Sequence, residues 1–190
     1  MFGPEGGFHP LAVTLYTDST IVQGTARTLH RRLSDLLNTQ DGGLIVLESA
    51  KLQVYGTRGG AQSAQFAQVN LGALLFTVSD EAVEPTPEMR MPKVGRQALI
   101  ALPPFWILGR LHLTASENER EALEELRGSF LPLTDATYWS ESLKVERTAA
   151  SLVIFNRARA QILEPHGEEA SWMEARAAAL RLAQEGRAGA

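Results

Sequence analysis

Polar and apolar residues alternate in part along "LAVTLYT" (Leu11–Thr17), rich in β-formers, and an apolar strand pattern returns along "IVQGTARTL" (Ile21–Leu29), with "DST" between the two runs. Two β-rich runs joined by a short turn predict the strands of a hairpin, with Asp18 placed to bond the backbone two residues on. Gly24, inside the second run, predicts a bulge or a strong bend. The period then changes. Leu29, Leu33, Leu36 and Leu37 fall at i, i+4, i+7 and i+8, one apolar stripe on a short helix around "HRRLSDLLN" (His30–Asn38). Asn38 and the following "DGG" predict its end through a left-handed residue. Strand patterns return in "LIVLESAKLQVYG" and "QFAQVNLGALLFTVS", joined by the glycine-containing "TRGGAQS".

The second half runs through the same sequence of periods. Strand-like "ALIAL" and "WILGRLHLT" precede a helical "EALEELRG", and "LPLTDATYWS" and "SLVIFNRARAQIL" follow it. Ser116 and Glu119 have capping-box spacing at the start of this second helix. Gly24 and Gly109 lie 85 residues apart, and Leu33 and Leu36 lie 90 residues before Leu123 and Leu126. Gly43–Leu52 lies 86 residues before Ser129–Tyr138, and Asn70 lies 86 before Asn156. A nearly constant shift over four blocks in the same order predicts two copies of one unit. Pro103, Pro104 and Pro132 each remove a ladder donor, which predicts edges or bends there.

The expected architecture is therefore mainly β with short helices: two tandem small β-barrel or curved-sheet units, each ββαββ and plugged by its helix. The first unit spans residues 1–80, a proline-containing linker 81–95, and a second, divergent unit 96–165. Residues 166–190, with "EEASWMEARAAALRLAQEGRAGA", read as an alanine-rich amphipathic helix without a counterpart after the first unit. This helix is expected either to dock on its own barrel or to serve as a partner-binding or oligomerising element, with Trp172, Met173 and Leu180 as its candidate partner contacts.

Charge and composition narrow the chemistry. The formal charge of −4 and pI near 5.6 give no overall positive field towards nucleic acid or anionic lipid, so any such site would be a local patch. There are no cysteines, which excludes disulfides, thiolate metal sites and cysteine nucleophiles. The N-terminal "MFGPEGGFHP" has no signal-peptide pattern, and no apolar run has the length of a membrane span. A soluble, cytoplasmic protein is expected.

Candidate site residues are few. Arg27, Arg31 and Arg32 are candidate anion or partner contacts, because paired guanidinium groups grip phosphate or carboxylate; the alternative is a solvated face with Asp35 as partner. Ser34 and Asp35 are adjacent on a helix and do not face each other. Asn70 and Asn156 recur at matching positions, where an amide bonding backbone at a strand bend is favoured over ligand contact. His9, His30, His112 and His166 are scattered, so neither a metal nor a cofactor is predicted. "YGTRGG" lacks phosphate-loop spacing.

"LYTDSTIVQGTARTLHRRLSDLLNTQDGGLIVLESAKL" followed by "VNLGALLFTV" resembles a bacterial domain family of uncharacterised function, marked by an R-R-L-S-D-L-L-N-like helix between β-hairpins. The resemblance covers nearly all of the first unit; in the second, Glu121, Ala122, Glu124 and Glu125 stand where Arg31, Arg32, Ser34 and Asp35 would be. It implies a small β-rich fold, present as a tandem pair, and no reaction. With no nucleophile–base pair in view, the expected function is that of a non-enzymatic protein-interaction or scaffold module, self-association included. Nucleic-acid binding through the arginines of the first unit is the alternative.

Overall fold

The computed structural model describes residues 8–30, 32–40, 42–56, 60–79, 93–115 and 118–166. The first hairpin is β1 (His9–Thr17) and β2 (Thr20–Thr28), followed by α1 (Leu33–Thr39), β3 (Leu44–Val54), β4 (Gln62–Asn70) and β5 (Leu74–Ser79). The second half holds β6 (Lys93–Leu102), β7 (Phe105–Thr114), α2 (Glu119–Glu124), β8 (Phe130–Ser140), β9 (Val145–Asn156) and β10 (Ile162–His166). All ten strands join one antiparallel sheet in the order β10-β6-β7-β8-β9-β5-β1-β2-β3-β4. The expected mainly β chain with short helices is thus present.

Three expectations are corrected. The sheet does not close: β10 and β4 are its two ends. Each long final strand is broken in two by a 3-10 turn, at Leu71–Ala73 and at Arg157–Arg159, so each half has five strands and not four. The cause is one residue type: Asn70 Oδ1 accepts from the Gly72 N–H and Asn156 Oδ1 from the Ala158 N–H, capping each turn. Third, the helical stripe begins at Leu33. Leu29 lies before α1 and is 55% exposed, while Leu33, Leu36 and Leu37 are buried.

Smaller readings also change. Asn38 does not end α1 in a left-handed turn; Gln40 caps it in extended conformation, and the positive φ values fall on Gly42 and Gly43. Asn118 caps α2, accepting from the Arg120 N–H, and Ser116 lies outside the described residues. Pro103 and Pro104 form the β6–β7 turn, whereas Pro132 sits in central strand β8, one residue beyond the last β7 pair, Leu111 with Leu133. Strand β6 begins at Lys93, inside the expected linker. The 166–190 helix, with Trp172, Met173 and Leu180, lies outside the described residues apart from His166 at the end of β10.

The ladders recur at the 85–86 spacing. Ala26 pairs with Leu47 and Leu111 with Leu133; Leu44 pairs with Asn70 and Phe130 with Asn156; Tyr16 pairs with Phe76 and Ala101 with Ile162. The β2–β3 register shifts between Gln23 and Thr25, and β7–β8 shifts between Leu108 and Arg110. Opposite each shift sits a non-glycine residue with positive φ, Ser49 at 52° and Asp135 at 50°. Gly24 and Gly109 lie at these bulges because a Cβ would come within 3.0 Å of Leu47 Cβ or of Ala136 Cβ, respectively.

Two cores result. One gathers Leu11, Leu15, Leu33, Leu36, Leu37 and Leu47 beneath α1, and also takes Phe130 and Ile154 from the second half. The other gathers Ile100, Phe105, Ile107, Leu133 and Phe155 and takes Tyr16, Leu75 and Phe76 from the first half. Its centre is a ring cluster: Tyr16 stacks on Phe76 at 4.3 Å, Phe105 meets both edge-on, and the Tyr16 and Tyr138 hydroxyls lie 2.8 Å apart. Burial, then that hydrogen bond, holds the Tyr16 phenol far above its ordinary range.

Candidate functional site

Strands β9 and β5 join the halves, pairing Phe76 with Phe155, Thr77 with Ile154, Val78 with Val153 and Ser79 with Leu152. Backbone pairing is reinforced by amides. Asn156, buried, donates through Nδ2 to the carbonyls of Leu71 (3.1 Å) and Leu74 (3.0 Å) across the junction. Asn38 does the reverse from α1: Nδ2 donates to the Phe130 carbonyl (2.9 Å), and Oδ1 accepts from the Ser129 (2.8 Å) and Phe130 (3.0 Å) N–H groups. Gly128, at φ +87°, passes so close that a Cβ would lie 3.0 Å from Asn38 Oδ1. Arg159 Nη2 reaches both Asp18 oxygens, at 2.6 and 2.7 Å.

Beside this junction, α1, the start of β6, the end of β7 and the segment after α2 enclose a cleft of about 520 Å³. Arg32, Lys93 and Arg127 bring three cations to its wall, and Asp35 and Glu125 two carboxylates. His112 faces the same cleft with Nε2 2.9 Å from Thr134 Oγ1. Burial, then Lys93 and Arg110, lowers the His112 pKa from its ordinary value, against an opposing pull from Asp135. Mixed charges on half-open walls can hold an anion or a polar chain segment. Among the described residues no group of three or more His, Asp or Glu could hold a metal ion.

The predicted arginines are not brought together. Arg27 lies on the outer face of β2, 3.8 Å from Glu48, whereas Arg32 precedes α1 and faces the cleft. Arg27 lines a shallow pocket with Leu36, Gln40 and Glu48, and Arg32 lines the cleft with Lys93 and Arg127, so proximity in sequence did not become one patch in space. Arg31 lies outside the described residues. Ser34 and Asp35 line the cleft without facing one another as a catalytic pair.

The other surface feature is the β3–β4 end of the sheet. On its outer face Leu44 is 39%, Val46 52% and Phe66 57% exposed. They share that face because Leu44 pairs with Asn70, Val46 with Gln68 and Glu48 with Phe66. β4 itself, "QSAQFAQVN", carries no charge and no proline over nine residues, and among the described residues it is the last strand of the sheet. In sequence this segment is merged with the strand that follows it, and its uncharged composition is the one signal that marks it as an edge. Among the described residues no helix is long and apolar enough to cross a membrane. No family model, no curated protein and no solved structure matches the chain.

Proposed function

We infer that the chain is a non-enzymatic protein-interaction or scaffold module, built from two copies of one small β unit that together present an open sheet edge to a polypeptide. The observation that carries this reading is β4, an uncharged edge strand beside Leu44, Val46 and Phe66 on one exposed face. An unpaired row of N–H and C=O groups next to apolar side chains supports strand addition by a protein segment. Natural edges that are to stay free usually carry lysine, proline or a bulge, and β4 has neither lysine nor proline. The duplicated-unit part is supported by the matched registers and paired bulges at 85–86 residues.

The test is a photo-crosslinking residue at Gln68, on β4, compared with one at exposed Arg110 on covered strand β7, in cells producing the full chain. Position 68 should crosslink a polypeptide well above position 110. A chain that crosslinks no polypeptide from 68, or crosslinks nucleic acid there instead, overturns the reading.

A second reading, nucleic-acid binding, is supported by Arg32, Lys93 and Arg127 in one cleft. Asp35 and Glu125 in that same cleft and the net charge of −4 weigh against it. It predicts binding to single-stranded RNA that weakens with salt and is lost when Arg32 and Lys93 both become alanine; no binding at low salt removes it.

A further inference from the structure

The β9–β5 junction inside the chain has a counterpart at the two ends of the sheet that no described strand fills. Shifted by 86 residues, β9 becomes β4 and β5 becomes β10, and these are the two terminal strands. We propose that β4 of one chain pairs with β10 of a second copy in the register of the internal junction, making the protein a head-to-tail self-assembling module. This rests on the interaction reading above and names its partner.

Three observations converge on a second copy. The first is register. Phe76 with Phe155 transposes to Ile162 with Val69, Thr77 with Ile154 to Leu163 with Gln68, and Val78 with Val153 to Glu164 with Ala67. β10 lies on β6 as β5 lies on β1, Leu163 facing Ile100 where Thr77 faces Leu15, so Ile162 to Glu164 present the outer edge that Phe76 to Val78 present, and Pro165, standing where β5 has Ser79, ends the transposed pairing there.

The second is the asparagine clamp. Asn70 caps its 3-10 turn as Asn156 does, but its Nδ2 has no acceptor among the described residues. Transposed, the carbonyls that Asn156 grips at Leu71 and Leu74 become those of Arg157 and Ala160. Each already has the geometry required: the Ala160 N–H closes onto the Arg157 carbonyl as the Leu74 N–H closes onto that of Leu71.

The third is burial. In the second half the outer face of β8–β9 is covered by the first half: Phe130 and Ile154 are buried in the core under α1, and Leu152 packs against it. The positions 86 residues earlier are Leu44, Gln68 and Phe66, of which Leu44 and Phe66 are apolar and exposed, with exposed Val46 on the same face. Apolar side chains are thus exposed at the positions that a following unit would cover, and the second half of another copy supplies that unit. Such a contact is heterologous, so repetition gives a closed ring or an open filament.

The cysteine-free chain permits a direct test. Full-length Ala67→Cys and Glu164→Cys chains, carrying different tags, are mixed and oxidised in air; matched cross-strand positions bring Cβ atoms within disulfide range. The expected product is a disulfide joining the two tags, absent when Ser63→Cys replaces Ala67→Cys, together with a species larger than a monomer in native mass spectrometry. Asn70→Asp keeps the cap acceptor and removes the donor, and should weaken self-association about tenfold without changing the monomer's unfolding. A monomer at micromolar concentration overturns the proposal, whether its β4 is free or is covered by residues 167–190 of the same chain. So does a disulfide that forms only within one chain carrying both cysteines. If the chain is monomeric while position 68 still photo-crosslinks another polypeptide, self-assembly fails and the interaction reading stands.

Discussion

Asn156 and Asn70 hold the same place in their strands, and their environments separate what each amide contributes. Asn156 is buried and satisfies carbonyls on the far side of the β9–β5 junction; Asn70 is exposed and caps its own turn only. Asn156→Ala should therefore cost about 2–4 kcal/mol in urea unfolding, since it removes three hydrogen bonds and leaves a void. Asn70→Ala should cost about 1 kcal/mol or less in the monomer. Equal losses would contradict the clamp. Two glycines allow a similar separation. Gly42 and Gly128 have nearly the same φ, +88° and +87°, but a Cβ at Gly42 meets nothing within 4 Å and one at Gly128 meets Asn38. Alanine at Gly42 should cost about 1 kcal/mol from the backbone alone, and at Gly128 about 2 kcal/mol or more because Asn38 must also give way. His112 gives a residue-scale pH dependence. Its folded pKa lies below the unfolded value near 6.5, so on acidification the unfolded chain takes up a proton that the folded chain resists. That contribution is full above about pH 6.5 and is lost as pH falls through the folded pKa. His112→Gln should flatten the stability profile below about pH 6.5 relative to the parent, leaving the neutral side unchanged; parallel profiles would exclude it.

At the level of elements, the order of strands and helices was legible because each has its own period, and Gly24 marked its bulge because a strand interior seldom has reason for a glycine. The breaks after Asn70 and Asn156 were not. "VNLGALLFTV" reads as continuous apolar strand, and only the asparagine side chain folding back onto Gly72 turns it. The site was less legible than the fold. Arg27 and Arg32 look like one patch in sequence, but a strand and a helix start carry them to Glu48 and to the cleft. The pairing of β5 with β9 leaves no periodic trace, because its partners are about 75 residues apart. The ring cluster at that seam sets another element-scale expectation. Tyr16 on β1 and Tyr55 just after β3 both have phenols raised above their ordinary range, chiefly by burial. Raised groups favour the fold fully below the unfolded pKa near 10, and that stability is lost as pH climbs above it. Unfolding should therefore set in above about pH 10, and Tyr55→Phe, which also removes a buried hydroxyl that has no partner among the described residues, should shift the onset upward. An onset unmoved by that change would show that the phenol remains solvated.

For the molecule as a whole, the question is whether two halves with their own strand sets behave as two domains or as one cooperative body. Chain order suggests separation, since each half has a hairpin, a helix and three more strands. Packing opposes it. Tyr16, Leu75 and Phe76 sit in the core of the second half, Phe130 and Ile154 sit in that of the first, and the sheet runs through the seam without a gap. Phe76 is the sharpest probe, being fully buried on β5, stacked on Tyr16 and edge-on to Phe105. Phe76→Ala should cost about 3–5 kcal/mol from lost burial and the cavity left behind. Most of its ring contacts lie across the seam, so the cost should fall on both halves at once. Hydrogen exchange should show protection falling together in β1 and β2 and in β7 and β8, within a single unfolding transition. Loss confined to β1–β5, with β6–β10 keeping its protection, would mean that the seam joins two independently stable units.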